Sequence, residues 1–116
     1  MGDSPNLLDL SAMAGAPLAQ IRLDPFSVQF LFHSGHNLST QGSVEIRERE
    51  VVISSWTEQD GWTTTQYQKI LRTKVIGYTF EHDKNTLRID FDNDLVLCLY
   101  DNFCIQPGSL FPLQTS

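Results

Sequence analysis

LAQIRLDPFSVQFLFHSGHNL, residues 18–38, sets the pattern for the whole chain. Within it Val28, Phe30 and Phe32 alternate with Gln29 and Leu31, the period of a strand with one buried face. Asp24-Pro25 before this run and Ser34-Gly35-His36-Asn37 after it are turn formers, so the stretch reads strand, turn, strand, turn, strand. Much of the same form recurs over residues 75–95. There Leu87, Ile89 and Phe91 alternate with Arg88 and Asp90, between the turn signals Asp83-Lys84-Asn85 and Asp92-Asn93-Asp94. The predicted strands of the first copy are residues 18–24, 27–33 and 38–47, the last bent at Gly42. Those of the second are 74–82, 86–91 and 95–100, with a short closing strand around Phe103 and Ile105. This register buries Phe30, Phe32, Ile89 and Phe91 and turns Gln29, Arg88 and Asp90 outward.

A chain of 116 residues makes one domain, residues 1–116, in which the quasi-repeats 18–47 and 75–105 share a core. A three-stranded unit cannot bury enough apolar surface alone, so each copy must cover the other. Ser4 and Pro5 suit a helix start and Gly15 its end, and residues 66–71 place Tyr67, Ile70 and Leu71 on one helical face. The predicted fold class is therefore α+β, mainly β. It consists of two quasi-repeated three-stranded antiparallel units related by an approximate twofold, each preceded by a short helix. Between the copies, residues 51–53 have strand composition and Asp60-Gly61 marks a turn. Residues 110–113 read as an apolar tail that packs on the domain.

The net charge of -6 disfavours direct nucleic-acid binding, which needs basic groups against phosphates. Acidity suits a basic partner, and it also serves solubility alone. The two cysteines, Cys98 and Cys104, do not form a disulfide framework and are expected to be reduced. Neither a basic, apolar leader nor a membrane-length apolar run is present, and a cytoplasmic location is the expectation.

No catalytic motif stands out, and the chain is not expected to be an enzyme or to hold a cofactor. Asp90, Asp92 and Asp94 with Asp101 mimic the spacing of a calcium loop, but Leu95 replaces the required glycine and the flanks alternate as strands, so no metal is expected. His33, His36 and His82 lack the paired spacing of a zinc site. The remaining feature is Trp56-Thr57-Glu58-Gln59-Asp60-Gly61-Trp62. Two aromatics bracketing two carboxylates suit a protein interface, while a small core also recruits large aromatics as a lid, and both readings stand at this level. Trp56, Glu58, Asp60 and Trp62, with the turn acids Asp92 and Asp94, are the candidate partner-binding residues.

Ile21-Arg22-Leu23-Asp24-Pro25-Phe26-Ser27-Val28-Gln29-Phe30-Leu31-Phe32, together with Leu87-Arg88-Ile89-Asp90-Phe91-Asp92-Asn93 running into Leu95, resembles a family of small bacterial domains of unknown function. Its members carry a strand-Asp-Pro-aromatic-strand opening and a closing hairpin, and some are similar to immunity proteins encoded beside bacterial toxins. The resemblance implies a stand-alone cytosolic binding protein that neutralises a cognate toxin, such as a basic nuclease domain, by protein-protein contact. The alternative is a scaffold or small-ligand-binding domain that uses the cleft between the two repeats.

Overall fold

The structure, a computed structural model, describes residues 14–24 and 26–106. It is mainly β with very little helix. The strands are β1 (Leu18–Leu23), β2 (Val28–Phe32), β3 (Asn37–Thr40), β4 (Ser43–Glu48), β5 (Val51–Thr57), β6 (Gly61–Trp62), β7 (Val75–Glu81), β8 (Thr86–Phe91), β9 (Leu95–Tyr100) and β10 (Phe103–Gln106). Two antiparallel sheets result, one ordered β1-β2-β3-β10 and the other β6-β5-β4-β9-β8-β7. The alternation that predicted β2 and β8 is realised directly. Val28, Phe30, Phe32, Leu87, Ile89 and Phe91 are all buried, and Gln29, Arg88 and Asp90 face outward, partly exposed. The inner faces meet through one core in which the rings of Phe32 and Phe91 stack with centroids 6.5 Å apart.

The sheets are larger than three-stranded units because the third strand of each predicted copy bends and continues into the other sheet. β3 leads through Gln41-Gly42 into β4, which pairs with β9; β9 leads through Asp101-Asn102 into β10, which pairs with β3. At this corner Asp101 and Asn102 both take left-handed backbone conformations, with φ of 60° and 46°. The buried Thr40 hydroxyl reaches the carbonyls of Asp101 and Asn102 at 3.4 and 3.3 Å and accepts the Gly42 amide at 3.0 Å. A second corner joins β1 to β7. Leu18 and Arg72 donate to the carbonyls of Thr73 and Leu18, and Val75 donates to Ala16. Pro17, which has no amide to donate, lies opposite Lys74 where this pairing begins.

Short helices ahead of each copy are not found among the described residues. Residues 65–70 before the second copy form a six-residue 3-10 helix, Thr65–Ile70, capped by the Thr64 hydroxyl, which accepts the Gln66 amide. Ile70 enters the core, Tyr67 packs partly buried against it, and the other four residues of the turn are exposed, a compact stop between β6 and β7. Of the helix expected over residues 4–15, only Ala14 and Gly15 fall within the described residues, and they form a turn; the remainder, and the apolar tail of residues 110–113, lie outside them. Among the described residues no helix is long and apolar enough to cross a membrane.

Candidate functional site

β5 and β6 form a hairpin that carries four of the six residues singled out in the sequence. Trp56 and Trp62 pair directly across it. Trp56 is 5% exposed and belongs to the core, whereas half-buried Trp62 stacks on Tyr67 of the 3-10 helix with ring centroids 4.3 Å apart. Glu58 and Asp60 occupy the exposed turn between the strands, where the Asp60 amide donates to the Thr57 hydroxyl at 3.1 Å. The aromatics thus hold the base of the hairpin and the acids project from its tip.

Asp92 and Asp94 are placed elsewhere. The pairing of Val44 with Trp56 and of Glu48 with Leu95 puts the β5–β6 turn at one end of the six-stranded sheet and the β8–β9 turn at the other. At about 3.4 Å per residue the two acidic turns are roughly 20 Å apart. Asp92 accepts the Lys74 amide at 3.1 Å and donates its own amide to the Lys74 carbonyl, so it fastens the start of β7. Asp94 faces Arg49 at 3.6 Å, both side chains mostly exposed. Asp90 is held by Arg88, so the acids of the calcium-like run are engaged separately. Among the described residues no group of three or more His, Cys, Asp or Glu side chains is arranged to hold a metal ion. His36 is buried with Nδ1 2.7 Å from the Ser34 hydroxyl, and His82 packs edge-on to Phe80.

The densest polar chemistry lies on the outward face of β4, β9 and β8. Tyr100 donates to Glu45 Oε1 at 2.8 Å, and Arg47 donates to the same oxygen through Nη2 at 2.8 Å and Nε at 3.2 Å. Glu50 lies 3.7 Å from Arg47 and takes a two-pronged contact from Arg88, 2.6 Å from Nη2 and 3.2 Å from Nη1. Arg88 Nε closes the chain on Asp90 at 2.9 Å. Cys98 stands in the same outward row between Glu45 and Arg88 and is 4% exposed. Beside this chain runs a groove of about 460 Å³, lined by Arg47, Thr79, Lys84, Thr86, Arg88 and Tyr100 with Cys98 and Glu81.

Titration behaviour follows from these contacts. Burial pushes the Glu45 carboxyl up, but hydrogen bonds from Arg47 and Tyr100 and the charge of Arg47 outweigh it, leaving its pKa below the ordinary value. The Arg88 hydrogen bonds lower Glu50 in the same way. Burial and the Glu45 contact raise Tyr100, so the phenol keeps its proton and acts as a donor. Burial also raises Cys98, with the nearby arginines opposing it only in part, which favours the neutral thiol.

This network was not found in the sequence, although it left a trace there. Glu45 and Arg47, and Arg88 and Asp90, are opposite charges two residues apart on strands, hence on one face. What joins those pairs is contact across 53, 55 and 38 residues of chain, which no local pattern reports. No protein-family model matches the chain, and neither the curated proteins nor the solved structures contain a match to it.

Proposed function

We propose that the protein is a binding protein of the immunity type, which neutralises a cognate bacterial toxin in the cytoplasm by protein-protein contact. The observation that carries this reading is the β5–β6 hairpin. It presents Glu58 and Asp60 to solvent from a base fixed by Trp56 in the core and by Trp62 on Tyr67. A tip whose backbone is already ordered loses little entropy on binding, and its carboxylates match a basic surface such as that of a nuclease. The chain's net charge of -6 adds long-range attraction to the same partner. In this reading Trp56 and Trp62 act by holding the hairpin, Glu58 and Asp60 by contact. The internal repeat is part of the proposal as well: residues 18–47, running from β1 into β4, and residues 75–105, running from β7 into β10, would be two copies of one unit.

The test is association of the purified protein with the toxin domain encoded by the adjacent gene, measured by surface-based kinetics at several salt concentrations. The expected result is a stable complex whose association rate falls with salt and falls further in the Glu58→Lys, Asp60→Lys double variant. A complex formed equally fast by that variant overturns the hairpin as the contact. Absence of any complex overturns the immunity reading.

A further inference from the structure

The groove beside the ion-pair chain has a donor-rich lining that the hairpin reading does not use. Its cations are Arg47, Arg88 and Lys84, and its hydroxyls belong to Thr79, Thr86 and Tyr100; Tyr100 donates to Glu45 and Thr86 to the Lys84 carbonyl, so these two oxygens meet a ligand as acceptors. The carboxylates that pair with the arginines, Glu45, Glu50 and Asp90, are not among the lining residues; Glu45 and Asp90 hold Arg47 and Arg88 on their Nε sides, and Glu50 takes the end of Arg88 through both terminal nitrogens. Such outer partners fix the planes of the guanidinium groups, as supporting groups do around a binding site. They do not exhaust the donors. Arg88 spends one N–H of each terminal nitrogen on Glu50 and its Nε on Asp90, which leaves a further N–H on each terminal nitrogen. Among the described residues Arg47 Nη1 has one approach, of 3.7 Å, to Glu50. The one carboxylate in the lining, Glu81, lies 3.9 Å from Lys84, and both side chains are more than half exposed, so the lysine is free to swing toward a ligand.

We propose that this groove binds a small phosphate monoester. Two oriented guanidinium groups and an ammonium suit a tetrahedral dianion, which accepts charge-assisted hydrogen bonds from several directions at once. A volume of about 460 Å³ exceeds what a bare phosphate fills, and the threonine and tyrosine hydroxyls suit a hydroxylated body attached to it. Cys98, buried, also borders the groove. The site is independent of the β5–β6 hairpin and of any toxin partner.

The experiment is a titration of the 15N-labelled protein, followed by amide chemical shifts at matched ionic strength, with glucose 6-phosphate, inorganic phosphate, glucose and sodium chloride. Glucose 6-phosphate should move the amides of Thr79, Lys84, Thr86, Arg88 and Cys98 saturably, and inorganic phosphate should move the same set more weakly. Glucose and chloride should leave them in place. Arg88→Gln should weaken binding about tenfold or more, the loss of one charge-assisted contact. Because that variant also leaves Glu50 and Asp90 without their partner, Lys84→Gln combined with Thr79→Val, at two exposed positions, provides the second arm and should weaken binding with the fold intact. Shifts absent at millimolar phosphate ester, shifts confined to other residues, or an affinity unchanged in the Lys84, Thr79 double variant would each overturn the site.

Discussion

Gly42 has no room for a side chain. A Cβ built there falls against the carbonyl oxygen of Tyr100 and within 2.6 Å of that of Asp101, both backbone atoms that cannot swing aside. Its requirement is close approach of two segments of the chain at the sheet corner, the reason glycine recurs where strands bend sharply. Gly42→Ala should cost about 1–3 kcal/mol, the range of overpacking with forced backbone shifts. Urea unfolding with an unchanged slope and a lower midpoint is the expected signature; a variant as stable as the parent would show that the corner is looser than its geometry implies. Glu45 makes a different residue-scale prediction. Its carboxylate is held below its ordinary value of 4.5 in the folded chain, so the unfolded chain binds its proton first as pH falls. The stabilisation is complete above that ordinary value and disappears as pH drops through the lower folded value. Glu45→Gln should therefore cost about 1 kcal/mol at neutral pH, after allowance for partial exposure, and close to nothing at strongly acid pH. Thermal melts of both proteins from neutral into the acid range would reveal whether the difference shrinks as required.

At the scale of elements, the β5–β6 hairpin separates what stabilises from what is displayed. Glu58 and Asp60 are exposed, and neither side chain is in a described ion pair, so the double reversal to lysine should move the melting temperature by no more than a surface change does, within about 0.5 kcal/mol. Trp62→Ala removes the stack on Tyr67, and a clear loss of stability in that variant alone would assign the tryptophan to the hairpin base. β2 and β8 were legible because one face is buried and the other wet, and they alternate in both sequence and burial, whereas β5 alternates in burial through Thr57 although its sequence reads as a strand only over residues 51–53. β9 was legible differently, through its turn-bounded apolar run. All of Leu95, Val96, Leu97, Cys98 and Leu99 are buried; β9 is central in its sheet, and on its outward side Arg47 and Arg88 stand opposite Val96 and Cys98. The 3-10 helix was legible only as some helical turn, since side-chain spacing over six residues does not distinguish its period from that of an α-helix. The candidate acids were legible as charges in turns. Their separation to opposite ends of the sheet was not, because it depends on which strand pairs with which.

At the scale of the whole molecule, the exchange at the Gly42 and Asp101-Asn102 corner decides how the two sheets depend on each other. β3 and β4 are one bent ribbon, β9 and β10 another, and the two ribbons pair along both arms, β3 with β10 and β4 with β9. Losing either sheet therefore removes the pairing partner of a strand that is covalently continuous with the other sheet. The shared core adds to this coupling, since Phe32 of the first sheet packs on Phe91 of the second. A domain built this way should unfold in one step, without a state that keeps one sheet and loses the other. The chain supplies a probe for each half. Trp56 and Trp62 report on the six-stranded sheet, and Cys104, exposed on β10 while Cys98 is buried, accepts a fluorophore selectively in the four-stranded sheet. Tryptophan fluorescence and the Cys104 label should give superimposable urea transitions with equal midpoints and slopes. If the label reported an earlier transition than the tryptophans, the β3–β10 arm would be opening by itself, and the continuous ribbons would not be transmitting the loss of one sheet to the other.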